Sequence, residues 1–281
     1  MPDWPPFMDP RDLAPGDLTP PVGLPSGIEL CLVESPADPL FEQAYQLLEA
    51  EFSRSNEIET REVLMDRMSW QADPSDQEGF VMGYQLLLLK VAGEIAAVRD
   101  HSAIVSQGEV TVHLSHVLVL PRWRRSGLAT ILRTLPISFA KSVAARSGAP
   151  DAPITLICEM DLYEPQSSSN QIRRSSYAKA GFLSIPTGHG YIQPDFRSQS
   201  LIDLDPNGPR PVELDLLFRR VCHEHETEIS RAELLVHISR VYRMYSLNLP
   251  PESMKASLAW LEDFRTVSQE FYPLIPPTAT L

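Results

Sequence analysis

From residue 27 to residue 222 the apolar positions keep changing rhythm, and each rhythm predicts an element. Gly27 to Glu34 (GIELCLVE) alternates in the manner of a strand. Asp38-Pro39 then supplies a cap and a first-turn proline, and Phe41, Tyr45, Leu48 and Phe52 follow on one helical face. Thr60 to Trp70 predicts a second helix, with Val63, Leu64 and Met68 as its buried stripe. Tyr84 to Val91 and Glu94 to Val105, parted by Ala92-Gly93, predict an antiparallel hairpin that Glu109 to Leu120 extends. A basic, glycine-containing turn over Pro121 to Gly127 leads into a long helix, Leu128 to Arg146, where Pro136 predicts a lost hydrogen bond and a kink. Beyond it, Ile154 to Met160 predicts a strand and Asn170 to Ala180 a helix closed by Gly181. Phe182 to Ile185, Tyr191 to Phe196 and Val212 to Val221 are further strand candidates.

The flanks differ in character. Met1 to Ser26 carries eight prolines and little periodicity, which predicts an extended or poorly ordered arm outside the core. After Cys222, Ser230 with Glu233 forms a capping box, followed at helical spacing by Leu234, Leu235, Ile238, Val241, Tyr242 and Tyr245. Pro250-Pro251 breaks the chain before a second amphipathic stretch bearing Met254, Leu258, Leu261 and Phe264, so a helical hairpin is expected. The expected organisation is an arm (1–26), one α/β domain (27–222) and a helical extension (223–281), packed on the core or on a second copy as a homodimer contact.

Composition narrows the function classes. A hydrophobic fraction of 43% and a charged fraction of 22% are those of an ordinary globular protein. No apolar stretch reads as a membrane span and no secretory signal is evident, so a cytoplasmic location without membrane association is the expectation. Three scattered cysteines, Cys31, Cys158 and Cys222, fit a reducing compartment. A formal net charge of -13 disfavours nucleic-acid partners and suits cationic ones such as amines. Cys222-His223-x-His225 lacks a second ligand pair at metal-binding spacing, so no metal is expected.

The candidate chemistry centres on Val117 to Leu132 (VLVLPRWRRSGLATIL). A strand ends, arginines crowd the turn, and a helix starts at a glycine, which presents unbonded backbone N–H groups at a positive helix end. Such a turn suits a diphosphate: Gly127 and Ala129 admit it closely, while Arg124 and Arg125 add charge. The alternative is an ordinary strand-to-helix turn carrying a surface basic cluster. Arg124-x-x-Gly127-x-Ala129, preceded by Val119-x-Pro121, resembles the acyl-CoA pyrophosphate loop of the GNAT superfamily. Asn170, with Tyr177 seven residues on and Gly181-Phe182 beyond, is similar to that family's second signature, and the order of elements is also the family's.

The resemblance implies a GNAT-like α/β fold, a mixed, mostly antiparallel central sheet flanked by helices, here with the C-terminal hairpin added. It implies an N-acyltransferase using acetyl-CoA, in which a small-molecule or peptide amine attacks the thioester directly. Leu118, Val119 and Leu120 would hold the pantetheine arm, and Arg124, Arg125, Ser126, Gly127, Leu128, Ala129 and Thr130 the diphosphate. Tyr177 matches the position that protonates the departing thiolate, and Asn170 one that contacts pantetheine. For Tyr177 the alternative is core packing, and for Asn170 a helix N-cap. His116, five residues before Pro121, matches a place where the family carries a base, and an imidazole titrates near neutral pH. Glu159 is the alternative base and His113 a weaker third; each is equally readable as a satisfied buried group. Three features depart from the family pattern: Arg125 stands where a glycine is common, Pro136 interrupts the following helix, and the connection from Glu159 to Asn170 is long. The competing class is a non-catalytic CoA-binding or interaction module on the same fold.

Overall fold

The computed structural model describes residues 3–53, 56–70, 79–185 and 190–278; Met1 and Pro2 of the predicted arm lie outside them. The described chain divides into two compact units, Met1–Leu156 and Ile157–Leu281, each taken here by itself.

The first unit runs β1 (Ile28–Val33), α1 (Pro39–Phe52), α2 (Arg61–Ser69), β2 (Val81–Val91), β3 (Glu94–Ser106), β4 (Glu109–His113), β5 (Val117–Val119) and α3 (Leu128–Arg146). Asp38 caps α1 by accepting from the Leu40 N–H at 2.8 Å, as the Asp-Pro pair predicts. Strands β1, β2, β3 and β4 pair antiparallel in that order, and β5 also pairs with β3. One face of this sheet packs Tyr84, Leu86, Leu88 and Val98 against Phe41, Tyr45 and Leu48 of α1 and Leu64 and Met68 of α2. The other packs Leu87, Leu89 and Ala97 against Leu128, Ile131, Leu132 and Leu135 of α3. Close approach on this second face explains Gly83 of β2: a methyl there would lie 2.9 Å from both Phe139 and Val143 of α3.

Three expectations change. The arm is not outside the core: Met8 and Leu13 are buried among the α3 and β2 side chains, with Trp4, Phe7 and Leu24 packed beside them. Prolines that bar long helices and sheet suit first turns, so the arm carries two short 3-10 turns, Pro10–Asp12 and Pro15–Asp17, and its interspersed large apolar residues give it something to bury. The strand predicted over Glu109 to Leu120 is broken. Ser102 opposes His113 and Arg99 opposes Val117, so two residues of β3 face three of the other strand, a bulge over Leu114, Ser115 and His116. A third expectation, that no apolar stretch reads as a membrane span, is corrected by α3, which is long and apolar enough to cross a bilayer by length and composition; 72% of its apolar window is buried inside the protein.

The second unit takes β6 (Ile154–Asp161) from Ile157 onward and adds α4 (Ser168–Lys179), β7 (Leu183–Ser184), β8 (Tyr191–Gln193), α5 (Gln199–Asp203) and β9 (Val212–Arg220). It ends with β10 (Glu228–Ser230), α6 (Arg231–Asn248), α7 (Pro251–Thr266) and β11 (Phe271–Pro273). β9 lies beside β6 and pairs antiparallel with β7 and β8; β10 and β11 form a separate antiparallel pair. Ser230 caps α6, its hydroxyl accepting from the Glu233 N–H at 3.1 Å, while the Glu233 carboxylate pairs with Arg220 at 2.9 Å instead of closing a capping box. Of the predicted stripe of α6, Leu234, Ile238, Val241, Tyr242 and Tyr245 are buried and Leu235 is half-buried, while on α7 Leu258 faces solvent and Met254, Leu261 and Phe264 are buried. α5 and the β10–β11 pair escaped prediction, being too short for a periodic signal.

Candidate active site

The turn before α3 has the local form its sequence implies. Gly127 is the N-cap in a left-handed conformation, φ 90°, and no side chain caps the helix. Thr130 and Ile131 donate back to the Gly127 carbonyl at 3.0 and 3.4 Å. Among the described residues nothing accepts from the backbone N–H groups of Arg125, Ser126, Gly127, Leu128 or Ala129. Consecutive unbonded donors at a helix N-terminus make an anion cradle. Arg124 and Arg125 beside it are exposed. Arg125 also adopts φ 65°, so the place where the family commonly carries glycine does demand a left-handed backbone, and here an arginine supplies it.

Three further features bear on the proposed cofactor contacts. A methyl at Gly127 would meet Pro21 at 2.5 Å and Leu24 at 3.1 Å, so on that side the arm, not open space, demands glycine. Asp17 of the arm accepts from the Thr130 hydroxyl at 3.3 Å and lies 3.5 Å from Arg133, which occupies the Thr130 side chain. On β5, Leu118 and Val119 pair with Val98 and Ala97, and Leu120 donates to Ala96 O at 3.0 Å. The Val119 carbonyl accepts from Arg124 Nε at 3.1 Å, which ties the strand end to the loop.

His116 does not suit the base role that sequence assigns it. The bulge turns it into a buried cluster, where Nδ1 contacts Asp100 Oδ1 at 2.9 Å and Nε2 the Glu57 carbonyl at 2.7 Å. Asp100 also accepts from the His116 N–H at 2.8 Å and from the Tyr84 hydroxyl at 3.1 Å. Glu59 lies 3.8 Å from Nε2 and pairs with buried Arg67 at 2.6 Å. Burial opposes a charged imidazole, but Asp100, then Glu59 and the Glu57 carbonyl, outweigh it and raise its pKa from 6.5 to about 9. Burial likewise opposes the Asp100 carboxylate, and His116 overcomes it, so Asp100 stays ionised. An imidazolium with both nitrogens engaged has no lone pair to offer an ammonium group, and the cluster is a set of buried opposed charges. His113 is buried too, its Nδ1 3.1 Å from the Ser115 hydroxyl.

In the second unit Asn170 is spoken for. Its Oδ1 accepts from Arg174 Nε at 3.1 Å and from the Glu164 N–H at 3.3 Å, and its Nδ2 donates to Leu162 O at 3.1 Å. It is not the N-cap either: Ser167 caps α4, accepting from the Asn170 N–H at 3.3 Å. Asn170 instead pins the long connection after β6, assisted by buried Arg174, which bonds the Asp161 and Pro277 carbonyls and the Asp215 carboxylate. Tyr177 is largely buried on α4, its ring meeting Phe182 edge-on at 5.0 Å.

Glu159 on β6 is partly exposed, and its Oε2 accepts from the Tyr245 hydroxyl of α6 at 2.9 Å. Burial first, and then the charge of Glu159, raises the pKa values of Tyr191 and Tyr242, so two further phenols stand near this carboxylate and stay protonated. The sequence singled out Glu159 but not these tyrosines: Tyr242 and Tyr245 stood in a helical stripe, and Tyr191 in a strand candidate. At the junction, exposed His223 contacts Glu226 at 3.2 Å.

No protein-family model matches the chain, and no curated protein sequence does. Solved structures similar to it include Ard1 from Thermoplasma volcanium, 18% identical over 69% of this chain and 97% of its own, with a TM-score of 0.39. An acetyltransferase of the GNAT family from Staphylococcus aureus Mu50 is 11% identical over 69% of this chain and 99% of its own, also at 0.39. N-acetylglutamate synthase from Neisseria gonorrhoeae, complexed with coenzyme A and N-acetyl-glutamate, is 14% identical over 69% of this chain and 35% of its own, again at 0.39. Scores this low carry neither activity nor substrate across to this chain, whose own residues must supply both.

Proposed function

We propose that the chain is an acyl-CoA-dependent N-acyltransferase of the GNAT type, transferring an acetyl group from acetyl-CoA to a primary amine. One observation carries this reading: the run of unbonded amides from Arg125 to Ala129 at the uncapped start of α3, in the loop whose sequence resembles the family's pyrophosphate motif. Backbone donors there would take the diphosphate, and Arg124 and Arg125 would add charge.

The proposed chemistry needs a proton acceptor for the amine and a donor for the thiol. The amine nitrogen forms the new C–N bond with the thioester carbon, the C–S bond breaks, and its electron pair stays on sulfur. The surplus proton on nitrogen passes to Glu159, and the thiolate takes a proton from Tyr177, which regains one from solvent. Glu159 is preferred to His116 as the base because it stands on β6 where the resemblance places a glutamate, whereas His116 is a buried cation with both ring nitrogens engaged.

Titration calorimetry with acetyl-CoA tests the cradle. Ala129→Glu, which sets a carboxylate beside the amides, is expected to weaken binding at least tenfold, a cost of about 1.4 kcal/mol or more. Binding equal to that of the unaltered protein would remove the cradle from the reading. Gly127 is a poorer probe, because any side chain there also collides with Pro21. Binding of acetyl-CoA without thiol release on any amine would favour the non-catalytic module.

A further inference from the structure

The C-terminal hairpin has no place in the acyl transfer described above, yet α6 sends Tyr245 to the one carboxylate that the proposed chemistry uses. We infer that Tyr245 is a positioning residue for Glu159, so that α6 belongs to the catalytic apparatus; this rests on the reading of Glu159 as the base.

The observation is specific. Tyr245 is fully buried, and its hydroxyl donates to Glu159 Oε2 at 2.9 Å. A buried phenol gains nothing from its hydroxyl unless that group is bonded; phenylalanine would pack against Phe196, whose ring centre lies 5.2 Å away, equally well. Tyr242, three residues earlier on the same face of α6, is also held: its hydroxyl donates to Ile192 O at 2.8 Å and its ring lies 5.2 Å from Tyr191. The face of α6 towards β6 and β8 is thereby fixed in rotation, and with it the position from which Tyr245 reaches the carboxylate. Glu159 keeps partial exposure. A carboxylate whose Oε2 is held by a buried hydroxyl is confined to few rotamers, which a base that must meet an incoming nitrogen requires.

Steady-state kinetics on the full chain tests this, with acetyl-CoA and whichever of spermidine, an alanine-starting hexapeptide or a lysine hexapeptide the unaltered protein acetylates. Tyr245→Phe is expected to lower kcat by roughly 10- to 100-fold while the KM for acetyl-CoA and the melting temperature stay close to those of the parent. Glu159→Gln should lower kcat at least as far, and adding Tyr245→Phe to it should lower kcat no further, since the hydroxyl acts only through the carboxylate. An unchanged kcat in Tyr245→Phe, or an equal loss in both backgrounds, overturns the positioning role and leaves the acyltransferase standing. If the parent acetylates none of the amines, or if Glu159→Gln is fully active, the role of Tyr245 falls together with the reading beneath it.

Discussion

Among individual residues, the one that sequence put forward as the base has been put to structural use. His116 lies beside Asp100, which no motif pairs with it; the two meet because the bulge turns His116 across to β3, and the continuous apolar run Val117 to Leu120 after it hides the change of phase in the alternation. Its consequence is measurable. The folded-state pKa of His116 is raised from 6.5 to about 9, so the stabilisation it gives is fully present below pH 6.5 and is lost as pH rises through about 9. Asp100, depressed by the same contact, keeps its share down to acid pH below the ordinary carboxylate range. Urea unfolding between pH 6 and 10 should therefore show stability falling by about 3 kcal/mol across the alkaline limb. His116→Gln should be less stable near neutrality and should flatten that limb; a limb equally steep in both proteins would place the titrating group elsewhere. Glu159 and Tyr245 are the mirror case. Glu159 was legible from its place on a strand, but its partner lies 86 residues later on a helix whose stripe spelled only burial.

For whole elements the sequence is a better guide, and where it fails the cause is length or composition. The long helix from Leu128 to Arg146, the Ser230 cap of α6 and the proline-led start of α1 are local signals, and local signals survive folding. Short pieces such as β10, β11 and α5 carry too few residues to show a period. The arm failed differently. Proline content describes what a backbone cannot be, not whether its apolar side chains find a surface, and Met8 and Leu13 find α3 and β2. Asp12 adds an ion pair to Lys141 at 2.5 Å. Leu13→Ala should then cost about 2–3 kcal/mol, the value of a core leucine and not of a dangling one. Chemical denaturation will decide: a change within about 0.5 kcal/mol, as for surface positions, would return the arm to the periphery.

Taken as a whole molecule, charge speaks to partners more than to shape. A net charge of -13 sets up a field that draws cations to the protein over distances longer than any single contact. The same field opposes the approach of an anionic acyl-CoA, which gives the basic turn of Arg122, Arg124 and Arg125 a second reason to stand beside the amides: it locally reverses a sign that the rest of the chain imposes. Steering of this kind depends on screening, whose range shrinks from about 30 Å at 0.01 M salt to about 8 Å at 0.15 M. If the acceptor is an amine carrying several positive charges, kcat/KM for spermidine should fall roughly three- to tenfold between those two salt concentrations, chiefly through KM. A hexapeptide whose only cation is its N-terminus should lose much less over the same range. Equal sensitivity for the two acceptors would mean that the acidic surface serves solubility alone, and that selection of the amine lies in short-range contacts around Glu159.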